Sequence, residues 1–226
     1  MSLLTKLDIQ IGNKFNENPY RFFSEHDIHT ELAKILIDEL ESENSLWSVT
    51  KDEKKVTRVH HEYPTPFRCY MKGTGFQKYT ENQFKKAKEK TPSLRVRRGH
   101  FDIVVFDEEY IQHNDLQTVS GKNYRALLKS FNVEQPTALE LAIEVVYYIS
   151  LDSKPHFGIM KRRKDSTEQD YKKLKALMDF TFKDDTPFCQ ESAMMFFSNS
   201  LYNDTMKKRI GEIKRTKKVQ LFSYYS

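Results

Sequence analysis

An apolar run at residues 137–150, TALELAIEVVYYIS, carries two acidic residues and is the strongest strand signal in the sequence. Because successive side chains of a strand point to opposite faces, one face of this strand is apolar and the other carries Glu140 and Glu144. Residues 99–106, GHFDIVVF, predict a second buried strand, which includes Asp102. Buried strands of this type belong to sheets that helices cover, so the chain is expected to fold as an α/β protein.

The rest of the chain alternates between helical and strand patterns. Ser24 and Asp27 form a helix-start signal, and the apolar spacing that follows them predicts a helix over 24–43. Ser166 predicts the start of a helix over 167–180. Further patterns predict strands at 54–63, 67–72, 192–197 and 218–225, helices at 123–131 and 201–210, and a helix or solvated loop at 82–90.

Together these elements predict a single α/β domain over residues 1–226, with a mixed central β-sheet flanked by helices. The stretch at about 108–137 is a polar insertion between two of the predicted strands. No apolar run approaches the roughly 20 residues of a membrane-spanning helix, so no membrane partner is expected. The GxGxxG and GxxxxGK motifs are both missing, which excludes a nucleotide-binding loop of those types.

The cysteines and the start of the chain bear on the location of the protein. Cys69 and Cys189 are far apart and belong to no CxxC pair, which disfavours a disulfide scaffold or a zinc site. The first residues lack the charged and apolar regions of a secretory signal. We therefore expect a cytoplasmic protein.

The embedded acids Asp102 and Glu144 need an explanation, because a carboxylate in an apolar strand loses its hydration. A shared divalent cation is one explanation, provided that the two strands are neighbours. The other is that each acid pairs with an arginine or a lysine at the end of its strand. Residue spacing leaves both explanations open.

Several short motifs occur in a fixed order along the chain. They are Glu25 at the start of a capped helix, HEYPT at 61–65, RGHFDIVV at 98–105, LAIEVV at 141–146 and QDYKKL at 169–174. In this order the motifs resemble the PD-(D/E)xK nuclease superfamily, over roughly residues 24–200. The resemblance implies the restriction-endonuclease-like fold and hydrolysis of phosphodiester bonds in nucleic acid, with DNA the expected partner.

The resemblance also implies a metal site. Asp102 stands in the place of the metal-binding Asp of the family, and Glu144 stands in the place of the acid of its ExK motif. Glu25 matches an auxiliary catalytic acid on a helix of some members. The implied cofactor is Mg²⁺, with Mn²⁺ as a substitute.

The sequence departs from the family at the motif lysine, because position 146 is Val146. In the family this lysine orients the attacking water and stabilises developing charge. A lysine from a neighbouring element is one substitute, which makes Lys172 and Lys173 candidate catalytic residues, along with Lys154 and Lys161. The alternative is a catalytically inactive module of the same fold that binds nucleic acid or a protein partner.

Basic clusters along the chain are candidates for nucleic-acid contacts. The chain carries a formal net charge of +5, a mild excess that would assist binding to a polyanion. The candidate contact residues are Arg97, Arg98, Lys161, Arg162 and Arg163. A solvated charged surface explains the same clusters, and the oligomeric state stays open.

Overall fold

The structure is a computed structural model that describes residues 1–22, 24–72, 75–79, 81–92, 97–121, 123–131, 133–148, 157–198, 203–213 and 218–225. The described helices are α1 (Leu3–Glu17), α2 (Glu25–Ser42), α3 (Glu81–Lys90), α4 (Glu108–His113), α5 (Leu116–Val119), α6 (Tyr124–Ser130), α7 (Phe157–Met178) and α8 (Asn203–Glu212), with a 3₁₀ turn at Pro19–Arg21. The described strands are β1 (Trp47–Val49), β2 (Lys55–Thr57), β3 (Val59–Lys72), β4 (Gly75–Tyr79), β5 (Arg97–Phe106), β6 (Leu139–Tyr148), β7 (Cys189–Ser198) and β8 (Gln220–Tyr225).

A six-stranded mixed sheet in the order β4-β3-β5-β6-β7-β8 forms the centre of the fold. Strands β4, β3, β5 and β6 pair in antiparallel fashion. Strands β6, β7 and β8 are parallel, and α7 and α8 lie in the connections between them. This confirms the predicted α/β class with a mixed central sheet flanked by helices. Strands β1 and β2 form a separate two-stranded hairpin.

Helices cover both faces of the sheet, because alternate residues of its central strands are apolar on both sides. One core lies between the sheet and helices α1 and α2, and includes Leu141, Ile143 and Val145. The other lies between the sheet and helices α7 and α8, and includes Ala142 and Val146. The predicted alternation of faces along β6 is therefore confirmed for these five residues.

Helix α2 begins at the predicted position for a local reason. The Ser24 hydroxyl accepts a hydrogen bond from the Asp27 amide at 3.2 Å, and Asp27 Oδ2 accepts one from the Ser24 amide at 2.8 Å. This capping box satisfies two amides that the first turn of a helix leaves unpaired.

Some predicted boundaries were wrong. Ser166 lies inside α7, which begins at Phe157, since residues 157–165 contain no proline to end a helix. The strands predicted at 54–63 and 67–72 are parts of β2 and of one long strand, β3. An irregularity in the pairing of β3 with β5 between Pro64 and Arg68 allows the strand to continue past its prolines. Helix α1 was not predicted, and the polar segment at about 108–137 contains the short helices α4, α5 and α6.

Candidate functional site

The central sheet opens between β5 and β6, and the candidate site lies at this opening. Among the described residues, the pairing of these strands ends at Ile103 and Ile143. Beyond that point β5 stays paired with β3, and β6 stays paired with β7 as far as Tyr148. The two strands therefore separate, which leaves room between them for side chains.

Asp102 lies at the point of separation. Continuing the β5–β6 register by one residue would place it opposite Glu144. The carboxylate oxygen Oδ2 of Asp102 instead accepts a hydrogen bond from the backbone amide of Val145 at 2.7 Å. The side chain thus takes the place of a backbone carbonyl as the acceptor for β6, and this contact fixes the carboxylate in the opening.

Glu144 is buried beside the ammonium group of Lys173. The Lys173 Nζ atom lies 2.7 Å from Glu144 Oε1 and 3.1 Å from Asp170 Oδ1, and it donates a hydrogen bond to the carbonyl oxygen of His100 at 2.6 Å. The Glu144 side chain is 2% exposed and that of Lys173 is 6% exposed. Helix α7 therefore brings one positive charge to the strand acid, at a depth where water screens little.

Gly99 allows this approach of Lys173. A Cβ atom at position 99 would lie 3.1 Å from Lys173 Cδ and 3.3 Å from Thr65 Cγ2. The first of these atoms belongs to the aliphatic part of the lysine side chain. A Cβ atom at position 99 would therefore force the lysine that contacts Glu144 to shift by a few tenths of an ångström.

Helix α2 contributes Glu25 and His29 from the other face of the sheet. These residues are four apart, so they lie on the same side of the helix. His29 Nε2 lies 3.6 Å from Asp102 Oδ2 and 4.0 Å from Glu25 Oε1. One ligand atom from each of Glu25, His29 and Asp102 lies within 4.8 Å of the other two. The geometry is that of a group able to hold a metal ion.

Burial disfavours the charged forms of the two strand acids at the opening. Burial raises the pKa of the Asp102 carboxyl to about 7, and the charges of Asp170 and Glu25 add to the rise. Burial also raises the pKa of Glu144 well above its ordinary value, against the opposing effect of Lys173. Several carboxylates therefore share one described ammonium group, and a divalent cation would relieve the excess negative charge.

The pKa values of Lys173 and His29 shift in opposite directions. Burial acts to lower the pKa of Lys173, but Glu144 and Asp170 raise it above its ordinary value, so the ammonium stays charged. Burial lowers the pKa of His29 to about 4, with smaller effects from His61 and His26. The His29 imidazole is therefore neutral at neutral pH, which is the form that binds metals.

The other predicted site residues lie apart from this cluster or outside the description. Lys172 Nζ contacts Glu168 Oε1 at 2.7 Å, and both side chains are more than a third exposed. Lys154 lies outside the described residues. Arg97 and Arg98 belong to β5 and Lys161, Arg162 and Arg163 belong to α7, but their side chains also lie outside the described part of the chain.

Sequence reasoning missed His29. The available signal was its spacing of four residues from Glu25, which puts both side chains on one side of α2. His100 takes part in the site through its backbone, since its carbonyl oxygen accepts the hydrogen bond from Lys173. The order of strands, rather than any motif, brings α2 over Asp102.

Comparisons with family models, with curated proteins and with solved structures find no match to the chain. Within the described ranges, none of the helices combines the length and the apolar character needed to cross a bilayer.

Proposed function

We propose that the protein is a metal-dependent nuclease that hydrolyses phosphodiester bonds in DNA, with a site similar to that of the PD-(D/E)xK superfamily. The observation that carries this proposal is the position of Lys173. Its ammonium group lies 2.7 Å from Glu144, although position 146 of the same strand carries a valine. A lysine from the following helix thus supplies the positive charge that the superfamily takes from its motif.

The order of elements supports the restriction-endonuclease-like assignment. Helix α2 precedes an antiparallel series of β3, β5 and β6, and α7 connects β6 to the parallel strand β7. In the proposed site, Asp102 comes from the second of these antiparallel strands and Glu144 from the third. Glu25 and Lys173 come from the helices on opposite faces of the sheet.

The residues at the opening fit a divalent cation, because they bring together the buried Glu144, the partly buried Asp102 and the exposed Glu25. Asp102 would hold the ion, with Glu144 and Glu25 as the further acidic residues of the site. When bound, Mg²⁺ or Mn²⁺ would polarise the phosphate and lower the pKa of water.

The residues of the chain have separate roles in the proposed reaction. The Val145 amide holds the Asp102 carboxylate in one orientation. The Lys173 ammonium holds Glu144 in place and provides positive charge where a phosphate gains negative charge during hydrolysis. Preorganised charge of this kind needs no rearrangement at the moment of reaction.

The distribution of basic residues supports a polyanionic substrate. Arg98 precedes Asp102 by four residues on β5, which corresponds to about 13 Å along a strand. Helix α3 adds a further basic surface. Its exposed lysines are Lys85, Lys86, Lys88 and Lys90.

A second candidate function is a catalytically inactive module that binds nucleic acid. The observation that favours it is the set of contacts around the Lys173 ammonium, which donates a hydrogen bond to the His100 carbonyl and forms ion pairs with Glu144 and Asp170. A lysine held in this way stabilises the fold without any reaction.

A cleavage assay distinguishes the nuclease from the inactive binding module. It uses single-stranded DNA, double-stranded DNA and RNA as substrates, each with Mg²⁺ and with Mn²⁺. Asp102→Asn retains an oxygen that can accept the Val145 hydrogen bond, so this variant should fold and should lose metal-dependent cleavage. Lys172→Met changes a neighbouring surface lysine and should cleave like the parent. Equal cleavage by Asp102→Asn would refute the site, and absence of cleavage on every substrate would favour the binding module.

Binding to DNA tests the partner independently of cleavage. Each phosphate contact contributes a slope of about 0.9 to the dependence of log affinity on log salt concentration. Replacing both Arg162 and Arg163 by glutamine should therefore reduce this slope by about 1.8 if both contact phosphates. The matched control replaces Lys51 and Lys54, exposed residues near the β1–β2 turn, and should leave the slope unchanged. DNA binding that salt does not weaken would contradict the proposed interface.

A further inference from the structure

The imidazole of His29 has an unusual environment. Its Nε2 atom is buried, and no group of the described residues forms a hydrogen bond with it. A buried polar atom normally has a hydrogen-bond partner, because burial removes the water that would otherwise bind it. The nearest acidic atom, Asp102 Oδ2, lies at 3.6 Å, which is beyond hydrogen-bond distance.

The separations around His29 match those of ligands that share one ion. Two ligand atoms that each lie about 2.1 Å from a metal are about 3.0 Å apart at a right angle and about 4.2 Å apart across the ion. His29 Nε2 lies 3.6 Å from Asp102 Oδ2 and 4.0 Å from Glu25 Oε1. Both distances fall inside this range, and the ligand atoms of Asp102 and Glu25 lie within 4.8 Å of each other, so small side-chain rotations would let one ion contact all three residues.

We propose that His29 is a metal ligand together with Asp102 and Glu25, and that the site consequently selects Mn²⁺ over Mg²⁺. The inference rests on the proposed function in so far as the metal is the one assigned to the nuclease site. It goes further by adding a nitrogen ligand and by setting the preference among cations.

The chemistry of the ligands is the reason for this selectivity. Mg²⁺ is a hard cation that takes oxygen ligands and demands near-ideal octahedral geometry. Imidazole nitrogen suits transition metals better, and Mn²⁺ also accepts the carboxylate oxygens of Asp102 and Glu25. A site with one nitrogen among its ligands therefore discriminates against Mg²⁺, whereas a site built from Asp102 and Glu144 alone would not.

The positions of the ligands on the fold fix the backbone from which each side chain extends. Glu25 and His29 share one side of α2, whose first turn is fixed by the capping box of Ser24 and Asp27. Asp102 is fixed by its hydrogen bond from the Val145 amide. The ligands thus come from two elements that the apolar core between α2 and the sheet holds together.

Pulsed electron paramagnetic resonance on the full chain loaded with Mn²⁺ reads out the nitrogen ligand directly. The parent protein should show the ¹⁴N modulation of a coordinated imidazole. His29→Gln should abolish this modulation and weaken Mn²⁺ binding by about tenfold or more in calorimetric titration, while Mg²⁺ binding changes less. His26→Gln and His61→Gln, which change exposed histidines near the same end of α2, should retain the signal.

These measurements do not depend on cleavage, so the inference and the proposed function can fail separately. A nitrogen signal that disappears in His29→Gln supports the ligand assignment even when no substrate is cleaved. The assignment is overturned if parent protein that binds Mn²⁺ shows no ¹⁴N modulation, if the modulation survives in His29→Gln, or if the parent binds no Mn²⁺. The spectrum of the parent decides the question even if the variant does not fold. Equal affinity of the parent for Mg²⁺ and Mn²⁺ would overturn the selectivity.

Discussion

Replacing Lys173 by methionine tests the central contact of the site through protein stability. At 2.7 Å and an effective dielectric constant of about 20, the attraction between Lys173 and Glu144 amounts to about 6 kcal/mol, and desolvation of the two charges offsets part of it. Removing one partner of a buried pair leaves the other charge without compensation, which costs about 3–5 kcal/mol. We expect Lys173→Met to lower the free energy of unfolding by this amount.

Urea denaturation followed by circular dichroism, with metal removed by a chelator, measures the change. Lys172→Met is the matched control, because its contact with Glu168 is an exposed pair between residues four apart on the same helix. Such pairs contribute about 0.3–0.5 kcal/mol. The double variant Lys173→Met with Glu144→Gln should recover a large part of the loss, since it removes the buried charge as well.

The dependence on pH has a defined sign. Burial raises the pKa of Glu144 in the folded protein, and removal of the ammonium raises it further. The unfolded state is the same for both proteins, so the gap between them is constant below the folded-state pKa of Glu144 in the parent. It grows as the pH rises from that pKa towards the higher pKa in Lys173→Met, by at most about 1.4 kcal/mol per unit, so it should be larger above the parent pKa than below it. A loss below about 1 kcal/mol, or one equal to that of Lys172→Met, would refute the reasoning.

Two further predictions concern buried groups away from the site. Arg58→Met should lower the free energy of unfolding by about 3 kcal/mol in the same assay, because the guanidinium is buried, contacts Glu140 and donates to the carbonyl of Phe106 at 2.8 Å. Cys69 and Cys189 are free and buried, and burial raises the pKa of the Cys69 thiol to about 11, so a thiol reagent should label neither cysteine until the protein is unfolded. Rapid labelling of the native protein would contradict this.

Local patterns were sufficient to predict several parts of the fold. From Leu141 onward, the alternation in β6 predicted which residues face each core, because the side-chain period of a strand does not depend on its partners. Leu139 lies in the core with α7, contrary to the predicted face, next to an irregularity in the pairing of β5 with β6. The start of α2 followed from Ser24 and Asp27, whose capping contacts join residues three apart. The embedded acids Asp102 and Glu144 were identifiable because a charge in an apolar run is costly wherever the strand lies.

The sequence did not decide which lysine accompanies Glu144. Lys172 and Lys173 are chemically identical neighbours, but successive residues of a helix differ by about 100° in direction. The packing of α7 against the sheet turns Lys173 toward Glu144 and leaves Lys172 beside Glu168 at the surface. The rotation of α7 about its axis depends on its apolar contacts with strands that are distant in sequence. The residues near position 173 do not indicate which contacts those are.

The same limit applies to the opening of the sheet and to His29. The separation of β5 from β6 depends on which neighbours each strand keeps, namely β3 on one side and β7 on the other. His29 meets Asp102 only because α2 packs across that opening, although the two residues are far apart in the chain. Residue types and short spacings determine strands, caps and costly charges, whereas the meeting of distant side chains is decided by how the elements bury their apolar faces against one another.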